Sequence, residues 1–182
     1  MDALTPQTKA LSAFCVLPSA RFGEQDADET VVLMLRASPF TQIPWVFNMI
    51  VAAILLVIIN MLLGTDVLNR VALRIDLIAA VAIVLYGFYN FLIWYYTVGF
   101  VTNKRIVEVD YHGVVKRVVS QAPMIKVADV TSKSAGFFGQ ILNYGNVFVQ
   151  TEGVVQNIEF DQTPNPDEAV AIINDIATTV KG

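Results

Sequence analysis

The sequence predicts an α+β membrane protein: a two-helix transmembrane hairpin followed by an antiparallel β-rich domain closed by a C-terminal helix. Three observations predict it. Two long runs carry no charge, one from Ile43 to Leu63 and one beginning at Leu77. A two-residue alternation of apolar and charged side chains starts after Tyr96. The last residues combine a helix-start signal with a single apolar stripe. Composition agrees, because 55% of the 182 residues are hydrophobic. Soluble domains hold roughly 45–50%, so the excess has to pack where water does not reach.

Residues 1–28 read as an N-terminal tail. Leu4, Leu11, Phe14, Val16, Leu17 and Phe22 are interspersed with small polar residues, which fits a disordered segment or an amphipathic helix lying in a membrane interface. Glu24–Glu29 follows as a charged, turn-prone stretch. Residues 29–42 form a pre-membrane segment, in which the short apolar run Val31–Leu35 reads as a strand at the sheet edge in preference to an interfacial turn of helix.

The hairpin occupies residues 43–96, with spans at 43–63 and 76–96. Each run supplies about 20 apolar residues, enough to cross ~30 Å of hydrocarbon at ~1.5 Å per residue. A buried soluble helix keeps a polar stripe, and neither run has one. No cleavable signal peptide is expected, since the first apolar run lies well inside the chain behind an acidic stretch. The connection Gly64–Arg74 is too short to fold alone, so the helices must run antiparallel and leave both termini on one side. Arg70 and Arg74 flank the loop, against Arg36, Lys104, Arg105, Lys116 and Arg117 on the terminal side. The positive-inside rule then places both termini in the cytoplasm of a multi-pass protein of the plasma (inner) membrane. Trp45, Trp94, Tyr95 and Tyr96 fall at one interface as an aromatic belt. Asn48 and Asn90 are placed to bond across the hairpin, because an amide in hydrocarbon is costly without a partner. Asp76 falls at the boundary of the second span.

Residues 97–182 read as one domain. Val107, Val109 and Tyr111 alternate with Glu108 and Asp110, the pattern of a half-buried strand. His112-Gly113 is a turn signal, so Arg105–Tyr111 and Val114–Ser120 form a hairpin. His112, with no second histidine and no nearby cysteine, is a turn residue rather than a metal ligand. Further strands are expected at Ile125–Ser134, Asn146–Thr151 and Val154–Phe160, the last two joined by a tight turn at Glu152-Gly153. In the closing helix Asn165 is placed to cap, Pro166 takes the first helical position and Glu168 closes a capping box. Ala169, Ile172, Ile173, Ile176 and Val180 form its stripe.

Two hydrophobic helices, then WYYTVGFVTNKRIVEVD, a Gly turn, SAGFFGQILNYGNVFV and a final helix are arranged in this order. From about Glu29 to Val180 that order resembles the bacterial pleckstrin-homology-like (PH-like) membrane-flanking domain family, the second bacterial PH group. The most similar parts are the step Thr102–Arg105 into an Ile-Val strand and the segment Gly136–Val147. The resemblance implies a PH-like, partly open antiparallel β-barrel capped by a C-terminal helix. It carries no catalytic residue set. Of the spaced basic residues in the phosphoinositide-binding loop of eukaryotic PH domains, only Lys104-Arg105 has an echo here.

A formal net charge of −4 and the absence of an arginine-rich helix or zinc-ligand spacing exclude a nucleic-acid footprint. Cys15, the single cysteine, forms no internal disulfide. The sequence shows no nucleophile–base pair, paired carboxylates, phosphate-binding glycine loop or metal spacing, so no catalytic residue, metal or cofactor is expected and the protein is read as no enzyme. Gly136–Gly139 lacks the lysine and the strand-to-helix setting of a phosphate loop and reads as a hydrophobic turn. Its neighbours Phe137, Phe138, Ile141 and Leu142 either fold back over the barrel, the preferred reading, or present an apolar patch to a partner or membrane. Lys104, Arg105, Lys116 and Arg117, near the second span, are candidates for lipid headgroups, each worth ~1 kcal/mol at an anionic leaflet; the preferred reading is topology marking and solvated strand faces.

These features point to a membrane-anchored binding or assembly module that offers a small β-barrel to membrane lipids or to a membrane-protein partner, including another copy of itself. The competing reading is a subunit of a homo-oligomeric channel or transport assembly built from such hairpins. No ionisable residue at mid-depth supports a pore.

Overall fold

The computed structural model describes residues 12–18, 26, 28–62, 70–111, 113, 116–153 and 157–182. The proposed tail helix, the loop after Leu63, the His112 turn and the first residues expected for two strands, Val114–Val115 and Val154–Gln156, lie outside the described residues. The chain divides into two compact units, one of residues 1–38 with 94–182 and one of residues 39–93.

The second unit is helical. A short 3-10 turn at Pro39–Gln42 leads into α1 (Ile43–Leu62), and α2 begins at Arg70 and runs to Tyr96. Within this unit the helices pair antiparallel. Asn60 meets Asp76 near one end, and Met49 approaches Gly87 near the other. A Cβ on Gly87 would come within 2.4 Å of Met49 Sδ, so the missing side chain lets the two helices meet. No residue of α1 is buried.

The first unit is β-rich and contains more strands than the sequence pattern shows. A five-stranded antiparallel sheet has the order β1 (Phe14–Val16), β2 (Val31–Leu35), β3 (Val98–Thr102), β4 (Arg105–Tyr111) and β5 (Arg117–Pro123). A three-stranded antiparallel sheet follows, β6 (Val127–Ser134), β7 (Tyr144–Thr151) and β8 (Ile158–Pro164). The two sheets are not hydrogen-bonded into one closed barrel.

Val31–Leu35 is a strand as expected, pairing with β3 in the register Met34↔Phe100 and Leu35↔Gly99. Phe14–Val16, read as tail, instead pairs with β2 through Cys15↔Met34. The domain therefore reaches back across the apolar helices to strands that precede them, rather than starting at residue 97. Strand β3 was hidden because Val98–Thr102 continues the uncharged run of the second helix without a polar break. The β5 and β8 strands extend further along the chain than their sequence patterns indicated. The last described pair between β7 and β8 is Val149↔Ile158, and residues 154–156, next to the tight turn expected at Glu152-Gly153, lie outside the described residues.

The sheet is covered on both faces, which explains why simple in-out alternation misleads. Leu33, Leu35, Val101, Ile106 and Met124 join Val147, Val149 and Phe160 of the second sheet in the main core. Cys15, Met34, Phe100, Val107 and Val109 form a second apolar cluster on the other face. Burial there raises the Cys15 thiol pKa, which keeps it unreactive.

Helix α4 (Pro166–Lys181) sets Ala169, Ile173 and Ala177 into the main core, with Ile172 and Ile176 half-buried and Val180 exposed. Pro166 takes the first position as expected, but the capping box does not form. Asn165 adopts left-handed backbone at φ 49°, and its side chain makes no cap to a helical N–H. Its amide donates to Glu168 Oε2 at 3.1 Å while its oxygen accepts from Asn143 at 2.7 Å. Lys181 Nζ donates to the Val127 carbonyl at 2.6 Å and ties the helix end to β6.

Candidate functional site

The basic turn Thr102–Arg105 joins β3 to β4, and it is occupied from within the chain. Arg105 donates from Nε and Nη2 to the two oxygens of Glu29, each at 3.0 Å. The Glu29 side chain is fully buried and that of Arg105 is 24% exposed. Thr102 Oγ1 lies 2.7 Å from Glu29 Oε1 and accepts the Arg105 backbone N–H at 3.0 Å. Burial alone would raise the Glu29 pKa, but the bonds from Arg105, Thr102 and the Asp26 N–H outweigh it and hold the carboxyl below its usual range. Lys104 Nζ reaches Asp28 at 3.2 Å and Asp26 at 3.7 Å, and the Asp28 contact raises its pKa. Asn103 clasps Thr30 through both backbone and side chain.

The four basic candidates therefore do not form one patch. Lys104 and Arg105 stand at the end of β3 remote from Thr97, where the chain arrives from α2. At roughly 3.3 Å per residue that is on the order of 15 Å of strand. Their charges are answered by Asp26, Asp28 and Glu29 of the charged, turn-prone stretch. Lys116 and Arg117 are exposed at the opposite end of β4, where Tyr111 pairs with Arg117. Alternate ends of one hairpin cannot meet one headgroup.

A fifth cation, Arg36, is buried where the chain leaves β2. Its guanidinium lies 5.4 Å from the Trp94 ring centre and 4.8 Å from that of Tyr95. Burial lowers its pKa, and Tyr95 opposes the shift. Trp94 Nε1 donates to the Ala37 carbonyl at 2.8 Å. The aromatic cluster at the end of α2 thus clamps the segment just after β2 by cation–π stacking and one hydrogen bond.

Beside this clamp a shallow cavity of about 70 Å³ opens between the sheets, lined by Arg36, Thr97, Gly99, Glu108, Asp110, Phe160 and Asp161 among others. Small-molecule pockets hold roughly 300–1,000 Å³, so this one has room for a few waters. Its carboxylates are unusual. Burial, then the charges of Asp110, Asp161 and Glu159, push the Glu108 pKa up to about 7. Burial and Glu159 raise that of Asp161 as well. Sequence reading passed over this group because Glu108 and Asp110 alternate with valines and look solvent-facing. Across the gap, Phe160 fills the space left by Gly99, where a Cβ would fall 2.2 Å from its ring. Among the described residues no group of three or more His, Cys, Asp or Glu side chains is arranged to hold a metal ion.

The expected hydrophobic turn is a short helix, α3 (Gly136–Ile141). Gly136 enters it at φ +67°. Gly139 allows it to sit tightly on β7, since a Cβ would fall 2.7 Å from the Tyr144 carbonyl, and Gly145 lets β7 approach β6, where a Cβ would fall 2.4 Å from the Lys133 carbonyl. Phe137, Phe138 and Ile141 do not fold back over the sheet. They are 72%, 68% and 63% exposed, with the two rings edge-to-face at 5.8 Å, and Leu142 alone is half-buried. Gly139 sets α3 against the start of β7 at Tyr144, with Phe137, Phe138 and Ile141 left outside the core.

In the helical unit the polar contact between α1 and α2 falls at Asn60 and Asp76, 2.9 Å apart, instead of at Asn48 and Asn90. Asn60 also donates to Leu56 O at 2.9 Å, and Asn90 donates to Tyr86 O at 2.8 Å, one turn back on its own helix. Asn48 is exposed.

The sequence matches the bacterial PH domain family over residues 38–177. Among solved structures it is similar to a DUF1696 family protein with a pleckstrin-homology domain from Shewanella loihica PV-4, at 18% identity and a TM-score of 0.34, covering 47% of this chain and 71% of that one. A pleckstrin homology domain from Shewanella amazonensis SB2B is similar at 21% identity and a TM-score of 0.33, covering 47% and 68%. No curated protein matches the chain.

Proposed function

Since the chain belongs to the bacterial PH domain family, we propose that it is a non-enzymatic, membrane-anchored binding module whose β-domain meets protein partners or lipid headgroups at the cytoplasmic face of the plasma membrane. The observation that carries the anchoring is the uncovered apolar surface of the two long helices. Two helices, at residues 39–62 and 71–96, are long and apolar enough to span a bilayer, and their most apolar windows are 0% and 6% buried within the chain. Water is a poor solvent for such surfaces, and lipid tails are a good one. The excess of basic residues flanking the outer helix ends over the Arg70–Arg74 loop supports cytoplasmic termini.

Binding rather than catalysis fits a domain whose cavity, at about 70 Å³, is far smaller than a small-molecule pocket of roughly 300–1,000 Å³. A channel subunit has less behind it, because Asn60, Asp76 and Asn90 spend their polar groups within the helix pair. The test is extraction and capture. The protein should stay with membranes through alkaline carbonate, leave them with detergent, and crosslink to envelope proteins. A monodisperse protein in buffer without detergent sinks the anchoring. Isolation without any partner under mild crosslinking sinks the adaptor role.

A further inference from the structure

We infer that α3 seats its apolar tip in the interface of the same bilayer that the helices cross, so that lipid covers Phe137, Phe138 and Ile141. This rests on the anchoring proposed above and adds a second membrane contact made by the β-domain itself. The three most exposed large apolar side chains described in the β-rich unit all lie on this one short helix. They are presented by a helix seated closely on β7, since a Cβ on Gly139 would fall 2.7 Å from the Tyr144 carbonyl. A rigid exposed pair of phenylalanines is an interface without its occupant.

Position says what the occupant is. Gly139 abuts Tyr144, Tyr144 pairs with Pro164, and Gln162 of the same strand accepts the Ser38 N–H at 2.7 Å. Ser38 is where the chain leaves the β-rich unit for α1. The tip thus stands on the strand ends that border the chain's own departure point.

Charge agrees. From Val130 to Thr151 the sequence has no carboxylate and one cation, Lys133, in a chain with 16 acidic residues. Asp167 and Glu168, which approach from α4, are engaged by Ser132 and Asn165. An acid-free apolar tip with one lysine beside it suits an anionic headgroup layer with hydrocarbon beneath.

The experiment reconstitutes the wild-type chain in vesicles of phosphatidylethanolamine and phosphatidylglycerol carrying a phospholipid with a diazirine in its acyl chain. Photolysis and peptide mass spectrometry then map the adducts, and hydroxyl-radical footprinting maps water contact. Adducts are expected on the α3 peptide as well as on α1 and α2, with α3 protected from the radical. Adducts on α1 and α2 but none on α3, whether α3 is oxidised from the water side or shielded by another protein, overturn this inference and leave the anchoring intact. No adduct on α1 or α2 overturns the anchoring itself. The double variant Phe137→Gln with Phe138→Gln removes no core contact, and it should lose the α3 adducts several-fold while keeping those on the helices. Unchanged α3 labelling in that variant also overturns the inference.

Discussion

Arg105 grips Glu29 through two parallel hydrogen bonds of 3.0 Å, joining a residue that precedes the apolar helices to one that follows them. The pair closes the β-rich unit across its own long excursion, where β2 and β3 run side by side. Because the carboxylate is fully buried, its partner cannot be removed without leaving a charge in an apolar setting.

Arg105→Ala should therefore destabilise the β-domain by about 3 kcal/mol, and joint replacement of Glu29 and Arg105 by leucine should recover most of that. Denaturant unfolding of the detergent-solubilised protein reads the difference. A pKa held below the unfolded value gives stability that is present above the ordinary carboxylate pKa and lost as pH falls through the folded one. The wild type should lose this increment on acidification, and Glu29→Gln should not show the corresponding slope.

Glu108 has the opposite sign. Its folded pKa of about 7 lies above the unfolded 4.5. Its stabilising contribution is fully present below the unfolded value and is lost as pH rises through about 7. Glu108→Gln should leave stability at about pH 4 unchanged and raise it at about pH 8 by roughly 1–3 kcal/mol. Thermal unfolding across that range, compared with wild type, checks the prediction; equal stability of the two proteins at the alkaline end contradicts it.

Two glycines around α3 should fail for different reasons. Gly145→Ala drives a methyl into the Lys133 carbonyl and should cost about 1–3 kcal/mol, since backbone cannot swing aside. Gly136→Ala meets open space, but its φ of +67° makes it cost about 1 kcal/mol, and Gly136→Asn should cost less. Unfolding midpoints of the three variants rank these effects.

Removing the bond between Asn60 and Asp76 should loosen the helix pair. Asp76→Leu is expected to weaken it by about 1 kcal/mol, while Asp76→Asn keeps a hydrogen-bonding oxygen and stays close to wild type. Reversible unfolding in mixed micelles measures this. Asn48→Leu should have little effect, because Asn48 is not the residue that bridges the pair.

Much of the architecture is legible in the sequence because it is set by local pattern. The uncharged runs give α1 and α2, alternation gives β4, and Pro166 with the stripe Ala169, Ile172, Ile173, Ile176 and Val180 gives α4. The family resemblance read from Thr102–Arg105 and Gly136–Val147 agrees with the family match over residues 38–177. The strands β1 and β3 are not legible in the same way. One is three residues long and the other merges into the apolar run before it, so neither has a period to detect.

What the sequence alone determines is where the chain must be helix, where it must be sheet, and which stretches avoid water, since these follow from neighbours within a few residues. Which charges are free is decided only by the tertiary fold. Lys104 and Arg105 look available until Asp28 and Glu29, far away in the chain, fold onto them, and Glu108 looks solvated until β8 brings Asp161 and Glu159 near. Coulomb energy and desolvation depend on distance in space and on what excludes water, and neither is written in the order of the residues.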